Sequence, residues 1–192
     1  MTPINMTVVE SLEPVATWDE GARRAASLII QNIDFLSLEL RPSEKSEISP
    51  AWEQMMAIRR CLNLIIDKIM YQVESKPSMD EMSLDWRNFG STCFEAGQKL
   101  NIFNKPAAGH IDEISDILVR KQRDYGHDKI ARFGRVGIAI RLHDKVARLE
   151  NLISNNVNPQ NESVLDNFVD LIGYAAIGIM WEENWYMKDV SR

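Results

Sequence analysis

Three carboxylates near the end of the chain are spaced four residues apart. Glu162, Asp166 and Asp170 follow i, i+4 and i+8 spacing. The two aspartates are the only charged residues between Val164 and Trp181. A helix turns by about 100° per residue, so all three would lie within about 80° in one stripe. Because an unpaired buried charge is costly, the stripe predicts either salt bridges to arginines of a neighbouring helix or a metal site.

A basic segment precedes this acidic stripe. Between residues 118 and 148 the local charge is +6, although the whole chain carries −6. In an acidic protein, this concentration favours recognition of a compact anion such as a polyphosphate. The alternative is a solvated helical face. The cations are Arg120, Lys121, Arg123, Lys129, Arg132, Arg135, Arg141, Lys145 and Arg148.

The basic and acidic groups are predicted to meet across two helices. Arg141, Asp144 and Arg148 share one helical face by their i, i+3 and i+7 spacing. Together with Lys145, these arginines would hold phosphate oxygens. The expected metal ligands are Asp144, Glu162, Asp166 and Asp170. Oxygen-only ligands suit Mg²⁺, with Mn²⁺ as a second possibility.

A catalytic role would also fall on the acidic stripe. Asp166 or Glu162 would orient or deprotonate a metal-bound water. The turn after Lys121 contains Asp124 and Tyr125, followed by a glycine. A tyrosine ring and free backbone N–H groups are suited to a nucleotide, so these residues are included in the predicted nucleotide site.

Apolar residues recur at three- and four-residue spacing almost throughout, which predicts an all-α fold. Six helices are expected, at about 18–40, 51–75, 79–100, 111–124, 136–153 and 162–187. The breaker-rich run 104–109 suggests a boundary between a helical N-terminal region, residues 1–105, and a nucleotide-phosphate domain, residues 106–192. No site residue is predicted before 105, and the five tryptophans are expected in the core or at an interface.

Composition restricts the class of protein. Hydrophobic residues make up 45% of the chain and charged residues 26%, as in ordinary folded proteins. The net negative charge argues against a duplex nucleic-acid binder. Cys61 and Cys93 lack CxxC spacing, and the apolar run 171–181 is too short to cross a bilayer. A cytoplasmic protein without membrane attachment is therefore expected.

Three segments, in the same order along the chain, resemble a known family. They run from Lys121 to Gly126, from Phe133 to Leu152 and from Glu162 to Ala175. They resemble the nucleotide modification associated domain family of phages, which is similar to MazG-like all-α nucleoside triphosphate pyrophosphohydrolases. The likeness covers about residues 115–185 and implies a MazG-like C-terminal core with an N-terminal helical extension.

The resemblance also implies an activity. Enzymes of this kind hold Mg²⁺ with carboxylates from two helices and cleave triphosphates to a monophosphate and pyrophosphate. The expected protein is a homo-oligomeric enzyme, dimer or tetramer, that acts on nucleotide pools in the cytoplasm of a bacterium or a phage-infected bacterium.

Two alternatives stay open beside the hydrolase. The wider superfamily carries an ExxE pair followed by ExxD, whereas this chain has Asp144 among basic neighbours and then carboxylates spaced by four. The first alternative is a non-catalytic protein that binds or sequesters a nucleotide. The second is a helical interaction protein in which the acids and arginines merely pair between helices.

Overall fold

The computed structural model describes residues 13–36, 49–75, 85–103, 105, 109–155, 159 and 161–191. Within these residues the chain forms seven helices and no strand, which confirms the all-α prediction. The helices are α1 (Trp18–Leu36), α2 (Pro50–Ser75), α3 (Trp86–Lys99), α4 (His110–Tyr125), α5 (Asp128–Ala131), α6 (Gly134–Ser154) and α7 (Val164–Glu182).

Side-chain oxygens cap the start of several helices. Thr17 Oγ1 accepts from the Glu20 backbone N–H before α1, and an Asp85 carboxylate oxygen accepts from the Asn88 N–H before α3. Ser163 caps α7 in the same way. These oxygens satisfy backbone donors that have no partner within the helix. The local sequence thus fixes where these helices begin.

The most apolar helix, α7, lies at the centre of the bundle. It packs against α1, α3, α4 and α6, while α2 packs against α3 and α6. Helices on both sides of the predicted boundary at 105 and 106 therefore share one hydrophobic core. Among the described residues, α7 is also the one helix long and apolar enough to cross a membrane, with 56% of its apolar window buried inside the protein.

The segment after α7 folds back onto the start of α1. Asn184 has a positive φ of 59°, and the Trp185 N–H donates to the Met180 carbonyl at 2.8 Å. The helix therefore ends at Glu182, and the predicted end near 187 is wrong. Farther along, the Trp18 backbone N–H donates to the Asp189 carbonyl at 2.8 Å.

Other helix bounds differ less from the predictions. A short extra helix, α5, occupies the turn between α4 and α6, bordered by positive φ values at Gly126 and Gly134. The predicted end of the first helix near 40 and the predicted start of the third near 79 lie outside the described residues.

Candidate functional site

A cavity of about 280 Å³ opens between α4, α6 and α7, with further walls from α5, the start of α1 and the segment after α7. Its inner wall is formed by buried residues, including Trp18, Gln122 and Tyr186. Its mouth is charged and more exposed. The charged residues that line the cavity are Lys121, Lys129, Arg141, Asp144, Lys145, Glu162 and Asp170.

Lys145 lies between two carboxylates at the mouth. Its Nζ atom is 2.7 Å from Asp170 Oδ2 and 2.6 Å from Glu162 Oε2. Burial alone would lower the pKa of Lys145, but hydrogen bonds to these two carboxylates outweigh burial and raise it. Lys121 pairs with the other oxygen of Asp170. Both oxygens of Asp170 are therefore bound by ammonium groups from two different helices.

Arg148 holds Glu162 in place from the same side. One guanidinium nitrogen lies 2.7 Å from Glu162 Oε2, and the other donates to the Glu162 carbonyl at 2.7 Å. The first nitrogen also donates to Asn167 Oδ1 at 3.2 Å. Glu162 precedes the cap residue Ser163, so it is not in the helix, and its predicted place in a helical stripe is wrong.

Asp166 is engaged in capping α7. One of its carboxylate oxygens accepts from the Ser163 hydroxyl at 2.7 Å and from the Ser163 backbone N–H at 2.9 Å. The side-chain hydrogen bond is the largest influence on the pKa of Asp166, and it lowers that pKa. Asp166 lines a neighbouring cavity rather than the one described above. Asp170 and Glu162 line both cavities, whereas Asp166 and Asp144 each line only one of them.

Cations crowd one another at the mouth. Lys129 places its ammonium 3.8 Å from the centre of the Tyr125 ring, a cation–π contact. Burial lowers the pKa of Lys129, and the positive charges of Arg141 and Lys121 lower it further. Arg141 makes no hydrogen bond or ion pair with any residue that the structure describes. The mouth therefore carries positive charge that its own carboxylates do not fully neutralise.

Two tyrosines line the cavity beside this charge. Burial raises the pKa of Tyr186 to about 12, and its hydroxyl donates to the His127 carbonyl at 3.3 Å. Burial also raises the pKa of Tyr174, and the nearby Asp170 raises it further. Both phenols stay protonated at neutral pH, so they offer aromatic faces and neutral hydroxyl groups.

Most of the predicted site residues come together at this cavity. Those lining it are Lys121, Tyr125, Arg141, Asp144, Lys145, Glu162 and Asp170. Arg148 and Asp166 lie beside it through their contacts with Glu162 and Ser163. Asp124 is exposed and does not line it.

The predicted metal ligands make contacts with different partners. Within the described residues, no three Asp, Glu, His or Cys side chains are grouped so that they could hold a metal ion. Glu162 and Asp170 share the ammonium of Lys145, while Asp166 serves the cap of α7. Salt bridging, the alternative use of the acidic stripe, is present, although lysines take a larger part than the expected arginines.

Several lining residues were absent from the predicted site. Tyr174 follows Asp170 by four residues, so the same helical stripe could have indicated it. Lys129 was counted in the basic segment, but its contact with Tyr125 depends on the bend at Gly126. Trp18 lies more than 100 residues from the other site residues, and no local pattern indicates its place.

No known protein-family model matches the chain, and comparisons with curated proteins and with solved structures found no match. The resemblance to phage nucleotide modification associated domains therefore stays a prediction.

Proposed function

We propose that the protein binds a nucleotide, with the base inside the cavity and the phosphates at its mouth. One observation carries the proposal: Lys129, Arg141 and Lys121 crowd the entrance of a cavity with an apolar and aromatic inner wall. Bringing like charges together is unfavourable unless an anion joins them, and the carboxylate that binds Lys121, Asp170, is already shared with Lys145. A phosphate group would relieve this repulsion.

The inner part of the cavity suits a planar, weakly polar group. Its lining includes Leu118, Ile130 and Ile177, with Tyr174 and Tyr186 as aromatic walls. At about 280 Å³, the cavity lies near the lower end of the range for small-ligand sites, about 300–1,000 Å³. A single base and its sugar fit that scale better than a larger cofactor.

The arrangement of Lys145 favours binding that needs no divalent cation. Its ammonium lies between Glu162 and Asp170 at 2.6 and 2.7 Å, where a metal shared by these two carboxylates would have to lie. A fixed ammonium already neutralises part of the acidic charge. We therefore expect phosphate oxygens to be held directly by Arg141, Lys129 and Lys121.

Calorimetric titration tests this proposal. Nucleoside triphosphates and inorganic tripolyphosphate should bind in EDTA, and added Mg²⁺ should not be required. Arg141→Ala should weaken binding about tenfold or more, a loss consistent with one charge-assisted contact. Arg120→Ala is the matched control, because Arg120 is an exposed cation on α4 that does not line the cavity. Equal losses in both variants, or no binding at all, would contradict the proposal.

A Mg²⁺-dependent nucleoside triphosphate pyrophosphohydrolase is the second candidate. The observation favouring it is that Asp144, Glu162 and Asp170 line the same cavity, and Asp144 forms no hydrogen bond or ion pair with any described residue. A metal shared by Glu162 and Asp170 does not fit while Lys145 lies between them. A metal held by these two carboxylates would require the Lys145 ammonium to move away from them.

Product analysis separates the two candidates. Incubation of each nucleoside triphosphate with Mg²⁺ or Mn²⁺ should leave the nucleotide intact if the protein only binds it. Pyrophosphate release that disappears in a folded Asp170→Asn variant would favour the hydrolase. If neither nucleotides nor tripolyphosphate bind, the ion pairs among α4, α6 and α7 would serve only to hold the helices together, as expected for an interaction protein.

A further inference from the structure

The inner wall of the cavity contains two buried hydrogen-bond donors without acceptors. Trp18 is 1% exposed and Gln122 is 6% exposed, and both line the cavity. The indole Nε1 of Trp18 and the amide Nε2 of Gln122 are buried without a hydrogen-bond partner. Because native proteins pair nearly all buried polar groups with protein, water or ligand atoms, these two donors call for hydrogen-bond acceptors in or beside the cavity.

The phenol of Tyr186, which lines the same cavity, gives Gln122 only a poorly aligned partner. The Tyr186 hydroxyl is a donor to the His127 carbonyl at 3.3 Å. A hydrogen-bond interaction with the Gln122 side chain lowers the pKa of Tyr186 in part, against the larger effect of burial, so the phenol oxygen is the nearest acceptor for Gln122. Even so, Gln122 Nε2 makes no hydrogen bond of normal geometry. A base carbonyl in the cavity would supply the acceptor that Trp18 lacks and a better aligned one for Gln122.

The chemistry of the two donors restricts the base. An indole N–H can only donate, so the group opposite Trp18 must be an acceptor. A carbonyl oxygen carries two lone pairs and can accept from both donors, whereas an exocyclic amino group would bring a third donor to the same place. Thymine, uracil, guanine and cytosine present carbonyl oxygens on their edges, and adenine presents none.

We propose that the nucleotide pocket selects bases that carry a carbonyl oxygen over adenine, with Trp18 and Gln122 donating to that oxygen. This inference rests on the proposed nucleotide site and adds the specificity of that site for the base. It also gives a role to the N-terminal region, because Trp18 is the first residue of α1. The cations at the mouth would bind the phosphates of any nucleotide, while the inner wall would distinguish the bases.

Competition among nucleotides provides the test. Affinities of dTTP, dGTP, dATP and inorganic tripolyphosphate are measured by calorimetry in EDTA. The wild-type protein should bind dTTP or dGTP at least about tenfold more tightly than dATP, since sites built to hydrogen-bond a group reject analogues lacking it. Tripolyphosphate has no base, so its affinity measures binding at the charged mouth alone.

Two variants remove the donors separately. Gln122→Met and Trp18→Phe should each reduce the preference over dATP to within about threefold, while the affinity for tripolyphosphate is unchanged. Trp86→Phe is the matched control, because Trp86 is equally buried but donates to Glu182 Oε1 at 3.2 Å, outside the cavity. Thermal melting confirms that each variant is folded, and Gln122→Met alone decides the result if Trp18→Phe fails to fold.

The outcomes distinguish the two proposals. If tripolyphosphate and every nucleotide bind but dATP is as tight as dTTP and dGTP, base selection is wrong and the nucleotide site stands. If the variants lose affinity for tripolyphosphate as well, Trp18 and Gln122 act through the fold and base selection is again wrong. If nothing binds, both proposals fail.

Discussion

Arg59 on α2 binds both carboxylate oxygens of Glu150 on α6, with Nε donating to Oε1 at 2.8 Å. The two side chains are 21% and 25% exposed. A guanidinium that binds a carboxylate in this bidentate way fixes orientation as well as distance. The pair therefore sets how α2 lies along α6, the helix that carries Arg141 and Lys145.

A double-mutant cycle should detect strong coupling in this pair. Arg59→Met and Glu150→Gln should each lower the free energy of unfolding by about 1.5–3 kcal/mol, because the remaining partner stays partly buried without its hydrogen bonds. The double variant should cost at least about 1 kcal/mol less than the sum of the two singles. Urea denaturation monitored by circular dichroism gives these values.

The exposed pair Arg23 and Asp112 is the control for that cycle. Its side chains are 64% and 65% exposed, and its atoms lie 2.6 Å apart. Solvent screening should limit its coupling to about 0.5 kcal/mol or less. Equal coupling energies in the two pairs would show that burial does not strengthen the Arg59 contact.

The cap of α7 should contribute measurably to stability. Ser163→Ala removes the hydroxyl that accepts from the Asp166 N–H and donates to its carboxylate. The expected loss is about 1 kcal/mol in the free energy of unfolding. Ser163→Thr keeps a hydroxyl and should recover most of it. Chemical denaturation at pH 7 measures the three proteins.

The contribution of Asp166 should disappear in acid. Hydrogen bonds from the Ser163 side chain and backbone lower the pKa of Asp166 in the folded protein. Because the pKa is lowered in the folded state, the ionised carboxylate stabilises the fold at pH values above its unfolded-state pKa of about 3.9. This stabilisation is lost as the pH falls through the folded-state pKa. The stability difference between the wild type and Asp166→Asn should therefore shrink below about pH 4. A difference that is constant from pH 7 to pH 3 would contradict this assignment.

A side chain at position 178 should destabilise the fold. A Cβ atom at this position on α7 would lie 2.7 Å from Trp86 Cγ on α3, which is closer than two carbon atoms can approach without a clash. Gly178→Ala should therefore lower the free energy of unfolding by about 1–3 kcal/mol. Gly109→Ala, where the nearest atom is 4.0 Å from the added carbon, should change stability by less than about 1 kcal/mol. Equal effects would mean that Trp86 moves aside without cost.

The two cysteines should react slowly and in a fixed order. Burial raises the pKa of Cys93 well above its ordinary value, and it raises the pKa of Cys61 less, since Thr92 partly offsets it. Because the thiolate is the reactive form, a colorimetric thiol reagent at pH 8 should modify Cys61 before Cys93, and both more slowly than in denatured protein. The Cys61→Ala variant isolates Cys93. Reaction of Cys93 at the denatured rate would show that its side chain is accessible.

The sequence predicted the helices better than the contacts between them. Apolar spacing identified the buried stripe of α2, where Ile58, Leu62, Ile65 and Ile69 are indeed buried. It missed the end of α7, because the positive φ of Asn184 depends on how the following aromatic residues pack. The predicted homo-oligomer and its cytoplasmic location stay predictions.

The candidate site was predictable only where its residues share one helix. The basic segment and Asp170 were identified because charge within an apolar pattern is conspicuous. The pairing of Lys145 with both Asp170 and Glu162 depends on the angle between α6 and α7, which spacing does not encode. Trp18 and Gln122 were missed because the sequence pattern can indicate that a side chain is buried. It does not show whether the polar atom of that side chain has a hydrogen-bond partner.

The hydrogen bond from the Trp18 N–H to the Asp189 carbonyl connects the inner wall of the cavity to a distant part of the sequence. The Ser191 N–H donates to Asp19 in the same region, at 3.0 Å. A ligand that holds the Trp18 ring should therefore reduce local opening here. Amide hydrogen exchange at Trp18 and Ser191 should slow on binding, although neither amide lies at the charged mouth where the phosphates would bind.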